Sequence, residues 1–359
     1  MAARGETSES EADRLALYDY PLDGVRIAAT PSVVRDASRL LVHRRREDAT
    51  AHATFRDLPE LLAPGDLVVL NDTRVLPARL LTRRRTGARI EVLLHPTASD
   101  EKEELLALLR PSARVAAGEE LSIEGAGEPA TTLVVLDPPG AELRRVRIAG
   151  GLEAALRAGR MPLPPYLPRD DPTRELPLDR ERYQTVFARA PGAIAAPTAG
   201  LHFTPELLGR LEGRGVRIAS ITLHVGPATF LPVRTERLSE HAMHEELFEI
   251  GPGAARAHAA ARGRGGRVVA VGTTTVRALE SAALAGGVVP MRTRTRLMIR
   301  PPFEFRAIDA LITNFHLPRT TLLALVSAFA GRERVLALYR EAAALGYRFY
   351  SYGDAMLFL

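Results

Sequence analysis

AIAAPTAGLHFTPELL at residues 193–208 and GVRIASITLHVGPATF at residues 215–230 are the stretches that decide the fold, and HAMHEELF follows at residues 241–248. Each of the first two is a strand-like apolar run that stops in a loop holding a histidine, small hydroxyl residues and glycine. In folds built from a sheet and helices, ligands collect outside the carboxyl ends of the strands. We therefore predict that these loops form the floor of an active site, with the following residues: His202, Thr204, Thr222, His224, Thr229, His241 and His244.

Two further strand–loop–helix units follow the same plan. RVVAVGTTTVRALESAALA at 267–285 predicts a strand to Val271 and then a helix. AIDALITNFHLPRTTLLALVSAFAG at 307–331 predicts a strand to Ile312 and a helix from about Thr320. The rest of the chain predicts one more helix and one or two buried strands. This alternation is typical of an α/β domain, a mixed sheet with flanking helices.

Residues 76–150 have a different character. Six short runs rich in Leu, Val and Ile are separated by turns containing glycine or proline, with little amphipathic helix between them. Such spacing indicates a small antiparallel barrel or sandwich, although Glu103–Leu109 could equally be helical by composition. The predicted divisions are a disordered tail at 1–13, an α/β main domain at 14–75 and 151–359, and an inserted small antiparallel β-barrel domain at 76–150.

The composition is that of a globular protein with a positive charge. The 359 residues are 46% hydrophobic and 25% charged, with a formal net charge of +5, which favours an anionic partner such as nucleic acid. Lys102 is the only lysine, so the strong preference for arginine weakens what any single arginine indicates. The absence of cysteine excludes disulfides and a thiolate nucleophile. Because no signal peptide or membrane-length apolar run is evident, we expect a cytoplasmic protein without membrane association.

Three loops, at 196–204, 272–275 and 313–320, each precede a predicted helix. The first turn of a helix leaves backbone N–H groups unpaired, so these amides and the nearby hydroxyls can hold a carboxylate, a phosphate or ribose hydroxyls. None of the loops has the spacing of a P-loop or of a dinucleotide fingerprint, so ATP and NAD are not expected. Ordinary helix capping remains the alternative for each loop taken alone.

Two polar features are open to both a structural and a functional interpretation. NDTR at 71–74 ends an apolar run and is either a turn held by its Asn and Asp side chains or part of the site. His241 and His244 are three residues apart and would share one face of a helix. They lack the H-E-x-x-H pattern of a zincin, so we expect no metal and favour proton transfer or capping.

Motifs spread over almost the whole chain resemble those of one family. The sequence is similar to the S-adenosylmethionine:tRNA ribosyltransferase-isomerases of queuosine biosynthesis, and the matches are long, irregular and in the expected order. They are YDYPLDGVRIA from Tyr18, RDASRLLV from Arg35, PGDLVVLNDTRVLPARL from Pro64, MPLPPYL from Met161, RYQTVFA from Arg182, AAPTAGLHFT from Ala195, ITLHVG from Ile221, HAMHEE from His241, VGTTTVRALE from Val271, LITNFHLPRTTLLALVSAFAG from Leu311 and YRFYSYGDAML from Tyr347.

The resemblance implies a fold and a reaction. The family has an α/β domain with an inserted β-barrel, and it uses no metal. It moves the ribosyl part of S-adenosylmethionine onto 7-aminomethyl-7-deazaguanine at the wobble position of a tRNA. The sugar becomes an epoxycyclopentanediol, which gives epoxyqueuosine and releases adenine and methionine. We therefore expect S-adenosylmethionine as co-substrate, a tRNA bearing the precursor base as partner, and a monomer.

That chemistry suits the residues in the loops. A sulfonium acidifies the adjacent ribose carbon, so a neutral histidine or a carboxylate could remove a proton there. We hypothesise that the proton-transfer groups are among His202, His224, His241 and His244, with Asp72 and Glu245 as orienting groups or alternative bases. The residues expected to hold the co-substrate are Thr198, Thr222, Gly226, Thr273, Thr274, Arg277, Thr313, Asn314 and His316.

Binding of tRNA requires positive charge for phosphates and a surface on which a flipped-out base can stack. The candidates are Arg74, Arg79, Arg83, Arg84, Arg85, Tyr166, Tyr183 and the turn at 44–46. A solvated face is the alternative for the arginine triplets.

The chain departs from the family pattern at Ala228 and Pro302, where the family has glycine, and at Thr320, where it usually has serine. Alanine and proline restrict the backbone more than glycine does. These differences leave two rivals: an S-adenosylmethionine-dependent enzyme of the same fold that acts on a small molecule, and a tRNA-binding protein without catalysis.

Overall fold

The structure is a computed structural model that describes residues 12–97, 104–125, 131–168, 171 and 175–359. Its strands are β1 Arg26–Ile27, β2 Arg39–Arg44, β3 Ala49–Thr54, β4 Leu67–Asn71, β5 Thr73–Val75, β6 Arg79–Arg83, β7 Arg89–His95, β8 Glu104–Arg110, β9 Glu120–Ile123, β10 Thr132–Val135, β11 Arg144–Ile148, β12 Ala190–Ala193, β13 Arg217–Leu223, β14 Glu246–Ile250, β15 Val268–Val271, β16 Met291–Thr295, β17 Ala310–Asn314, β18 Arg348–Phe349 and β19 Ala355–Phe358. Its α-helices are α1 Leu58–Leu61, α2 Gly151–Ala158, α3 Asp179–Arg182, α4 Pro205–Gly213, α5 Pro252–Gly263, α6 Thr273–Leu284, α7 Thr321–Ala330 and α8 Arg332–Ala344.

A mixed sheet forms the main domain, as predicted. Its strands lie in the order β16-β14-β13-β4-β15-β17-β19-β2-β3. The central strands β13, β4, β15 and β17 are parallel, so their carboxyl ends meet at one edge. Helices α5 to α8 pack on one face of the sheet, and α1 and α4 pack on the other. Burial on both faces explains why β4, β15 and β17 are nearly continuous apolar runs.

The inserted segment forms a closed antiparallel barrel, which confirms the predicted fold class. The strand order around the barrel is β10-β11-β8-β7-β6-β9, and all six strands coincide with the apolar runs. Glu104–Arg110 is a strand and not a helix, because it pairs with β7 on one side and β11 on the other. Helix α2 packs on the barrel core through Ala155, which favours assigning it to the barrel unit.

The two connections to the barrel run side by side. The chain enters through Pro77 and returns through Gly159, and the amide of Arg160 donates to the carbonyl of Arg79 at 2.8 Å. The domain boundaries themselves remain predictions.

The predicted N-terminal tail is wrong at its last residue. Residues 1–11 lie outside the described part of the chain. Asp13 is ordered and buried, because its carboxylate accepts a hydrogen bond from the amide of Ser239 at 2.9 Å and lies 3.3 Å from Arg300.

Candidate active site

A large cleft opens at the carboxyl ends of β15 and β17, where the first turns of α6 and α7 also lie. It is walled mainly by apolar side chains. Glu142, from the barrel, stands at its rim. The predicted co-substrate residues that line it are Thr198, Thr273, Thr274, Arg277, Thr313, Asn314 and His316. The three loops therefore converge as predicted, while the role of each residue remains a prediction.

Hydrogen bonds between the loops fix the polar part of the cleft floor. The Thr198 hydroxyl donates to the Asn314 side-chain carbonyl at 2.7 Å, and the Thr313 hydroxyl lies 2.7 Å from Nε2 of His316. Asn71 joins two more segments, because its amide donates to the Leu223 carbonyl and to the Thr274 hydroxyl, each at 3.0 Å. These contacts hold side chains from separate strands in one geometry.

The turn at 71–74 is held by the side chain of Asn71, which was one of the two interpretations of this segment. The Asn71 side-chain carbonyl accepts from the amide of Thr73 at 3.2 Å and from the amide of Leu223 at 3.0 Å. Asn71 thus ends β4 and also anchors the end of β13.

A buried ion pair in the cleft wall was missed by the sequence analysis. Arg277 on α6 donates through Nη1 to Glu246 on β14, and through Nε to the Leu297 carbonyl at 2.9 Å. Its Nη2 is buried without a hydrogen-bond partner in the described part of the chain. Arg277 itself is in the lining of the cleft, so the ion pair forms part of the cleft wall.

The carboxylate in the cleft wall is therefore Glu246 and not the predicted Glu245. Glu245 is exposed and pairs with Arg296 at 3.1 Å. Successive residues of a strand point to opposite faces, so Glu246 lies on the same side as the buried Phe248 and Ile250. The alternation in ELFEI was the signal that could have found it.

His241 and His244 lie at the cleft rim but not on a helix, contrary to the sequence prediction. Residues 241–245 have no regular structure and lead directly into β14. His244 Nε2 lies 3.0 Å from the Glu142 carboxylate, so the pair bridges the barrel and the main domain. Burial, followed by the field of His244, lowers the pKa of His241, which keeps that ring neutral near pH 7.

His202 lies behind the cleft floor. Its Nδ1 lies 3.0 Å from the Ser38 hydroxyl, and its Nε2 lies 3.3 Å from the Asn314 side-chain nitrogen. Burial lowers the pKa of His202 to about 3. His202 therefore contacts the cleft residue Asn314 but is not itself in the cleft lining, and its catalytic role remains a prediction.

Thr222, His224 and Asp72 are on the opposite face of the sheet from the cleft. Strand alternation directs Leu223 and Val225 into the core on the cleft side and sends Thr222 and His224 the other way. There Thr222 and His224 border a second pocket. The Thr222 hydroxyl donates to Asp72 at 2.6 Å. The expectation that these residues line the same cleft is therefore wrong.

Two further residues mark the junction of the barrel with the main domain. Gly226 is not in the lining of the cleft; its amide donates to Glu246 at 3.2 Å, so it supports the ion pair from behind. A Cβ at Gly226 would lie 2.8 Å from the ring of His95, which is buried. The close approach explains a glycine here, and His95 was not singled out by the sequence.

The predicted tRNA-binding arginines differ in availability. Arg79, Arg83 and Arg84 are engaged by barrel glutamates at 2.6, 2.8 and 2.5 Å. Arg74 and Arg85 are exposed. The β6–β7 hairpin tip that carries Arg83, Arg84 and Arg85 is at the barrel end away from the main domain, because the other end of β7 contacts Gly226.

The remaining tRNA-binding candidates also differ in their position relative to the cleft and in their exposure. The turn at 44–46 lies at the sheet edge opposite the cleft, since Arg45 donates to the Asp309 carbonyl just before β17. Tyr166 lines the cleft and its hydroxyl is 2.6 Å from that of Ser351. Tyr183 is also in the lining of the cleft, but its side chain is fully buried, so its stacking on a base remains a prediction.

The buried histidines make the stability of the protein depend on pH. Burial lowers the pKa of His202 to about 3 and those of His95, His224 and His316 to about 4. In the unfolded chain each has a pKa of about 6.5. As the pH falls from 6.5, the unfolded state takes up protons that the folded state excludes, so stability present above pH 6.5 is lost toward pH 4.

We expect His202→Gln to reduce this dependence. The slope of the free energy of unfolding against pH, measured by urea denaturation between about pH 4 and 6, should fall by about 1.4 kcal/mol per pH unit. An unchanged slope would show that the buried ring of His202 does not exclude a proton.

The described residues include no helix long and apolar enough to span a membrane. Within the same residues, no group of three or more histidine, aspartate or glutamate side chains is arranged to hold a metal ion.

The comparisons with known proteins agree with the geometry. The family model described as queuosine biosynthesis protein matches residues 15–358. The S-adenosylmethionine:tRNA ribosyltransferase-isomerase of Anaeromyxobacter dehalogenans (strain 2CP-C) is 54% identical over 355 residues, covering 96% of this chain and 99% of that protein. The enzyme of the same name from Moorella thermoacetica is 51% identical over 350 residues, covering 96% and 100%.

A solved structure covers the same length. The crystal structure of S-adenosylmethionine tRNA ribosyltransferase from Thermotoga maritima has a TM-score of 0.55 and 38% identity, and it matches 96% of this chain and 100% of its own. With a family match over nearly every residue and relatives above 50% identity along their whole length, this chain belongs to the queuosine biosynthesis protein family.

Proposed function

We propose that the chain is an S-adenosylmethionine:tRNA ribosyltransferase-isomerase and that the large cleft is its active site. It transfers the ribosyl moiety of S-adenosylmethionine to 7-aminomethyl-7-deazaguanine at the wobble position of a tRNA, forming epoxyqueuosine and releasing adenine and methionine. The observation that carries the proposal is the convergence of three loops and a barrel residue on one cleft, in a chain whose full-length relatives bear this name.

The cleft suits the parts of S-adenosylmethionine. The N-terminal turns of α6 and α7 present free amides and partial positive charge, which suit the carboxylate of the methionine part. Arg277 adds a positive charge to the cleft wall. Thr198 and Asn314 suit the ribose hydroxyls, while apolar walls such as those at Leu297 and Ile299 suit the adenine.

The rim histidines are the best placed proton-transfer groups. A neutral imidazole can accept the proton that the sulfonium acidifies on the adjacent ribose carbon. His241 is held neutral by burial. His244 is oriented by Glu142 and donates a proton to the departing adenine. His202 acts through Asn314, and His224 lies outside the reaction site.

The partner is a tRNA that carries the precursor base, bound at the mouth of the cleft. Three further properties remain predictions: the monomeric state, the cytoplasmic location and the absence of a metal.

The deciding experiment is to incubate the protein with S-adenosylmethionine, with and without precursor-bearing tRNA, and to measure adenine release. Release that depends on the tRNA supports the proposal. Release without tRNA would favour the rival enzyme acting on a small molecule, and tRNA binding without any release would favour a protein that has lost catalysis. Single His241→Ala and His244→Ala variants should each lose activity, whereas His224→Ala should retain it.

A further inference from the structure

A row of arginines, none of them used above for catalysis, lies on the edge strand of the main sheet. Arg292 and Arg294 alternate along β16, so they point to the same side, and Arg296 follows directly after the end of the strand. Strand β16 has only one neighbour, β14, so its other edge carries no strand among the described residues.

The register of β16 on β14 puts this row between the two pockets. Arg292 faces Glu249 and borders the second pocket, and Arg294 faces Leu247. Arg294 also donates to the Thr97 carbonyl of the barrel at 3.0 Å. Arg296 pairs with Glu245, which directly follows His244 at the cleft rim. The row thus runs from the second pocket, past the barrel, to the mouth of the cleft.

The two end members of the row are open to a partner. The Arg292 side chain is 67% exposed and its carboxylate neighbour Glu249 is 3.8 Å away. The Arg296 side chain is 69% exposed beside Glu245. Exposed ion pairs of this kind contribute little to stability, so each arginine can exchange its carboxylate partner for a phosphate at little cost. The barrel arginines Arg79 and Arg84 are held by less exposed glutamates.

We propose that this row binds the phosphates of a single-stranded segment of the tRNA next to the target base. Alternate residues of a strand are about 7 Å apart, a spacing that suits successive phosphates of an extended RNA strand. A segment lying along the row would deliver one nucleotide to the cleft at the Arg296 end. The inference rests on the proposed function for the identity of the RNA, and it assigns the binding surface to β16 instead of the barrel hairpin tip.

The test compares binding of precursor-bearing tRNA by Arg292→Gln/Arg296→Gln and by the wild-type protein, without S-adenosylmethionine, over a range of salt. Each single-strand phosphate contact contributes about 0.7 to the slope of log K against log salt, so the slope should fall by about 1.4, with affinity about tenfold weaker at low salt. Because no turnover is needed, the result is independent of whether adenine is released.

The matched control is Arg214→Gln/Arg264→Gln, which removes two exposed arginines near the amino ends of β13 and β15. Arg214 is also in an exposed ion pair, with Glu60 at 2.7 Å. This control should bind tRNA like the wild type. The proposal would be overturned if Arg292→Gln/Arg296→Gln had the same salt slope and tRNA affinity as the wild type. It would also be overturned if the control lost as much tRNA affinity as this variant. Thermal unfolding of both variants should match the wild type, since all four side chains are exposed.

Discussion

Arg277→Met should abolish adenine release and lower the free energy of unfolding by about 3–5 kcal/mol, because it leaves the buried Glu246 carboxylate without its partner. The side chains of Arg277 and Glu246 are only 8% and 10% exposed, so water cannot replace the lost contact. The same change removes the positive charge of Arg277 from the cleft wall.

A double variant separates the two effects. Glu246→Leu/Arg277→Met replaces the pair by apolar side chains, and such replacements are often neutral or stabilising. We expect it to recover most of the lost stability in urea denaturation while remaining inactive in adenine release. If the single Arg277→Met variant is as stable as the wild type, the ion pair described here does not hold the cleft wall together. If the double variant is active, Arg277 has no part in the site.

Gly159→Ala should cost about 3 kcal/mol or more in the free energy of unfolding and should also reduce activity strongly. A Cβ at this position would lie 1.7 Å from the Pro77 carbonyl oxygen, which is backbone and cannot rotate away. Relief requires the two connections to the barrel to separate. The barrel would then shift, and with it Glu142, which orients His244 at the cleft rim.

Gly209→Ala is the matched control. Gly209 lies inside α4, and a Cβ there would meet nothing within 4 Å. Glycine in a helix interior is unfavourable relative to alanine, so this change should stabilise the protein by about 0.5–1 kcal/mol. The measurement is urea denaturation of both variants, with adenine release as the second readout. Wild-type stability for Gly159→Ala would mean that the barrel connections are not packed as described.

Local patterns predicted the elements well, because hydrophobic period and capping residues act over a few positions. The helix predicted from about Thr320 begins at Thr321, and the Thr320 hydroxyl caps it by accepting from the amide of Leu323 at 3.3 Å. All six apolar runs of the inserted segment became barrel strands. Only Glu103–Leu109 was ambiguous, and pairing with two neighbouring strands decided it.

The sequence by itself determined the family, the α/β domain with its inserted barrel, and the gathering of three hydroxyl-bearing loops at one sheet edge. Only the tertiary structure decided which neighbours in sequence point into the cleft: Glu246 and not Glu245, and not His224, which faces a second pocket. The physical reason is the two-residue period of a strand, which sends adjacent side chains to opposite faces. Which face borders the cleft depends on pairing and on the position of the barrel, and both are set by contacts between residues far apart in the chain.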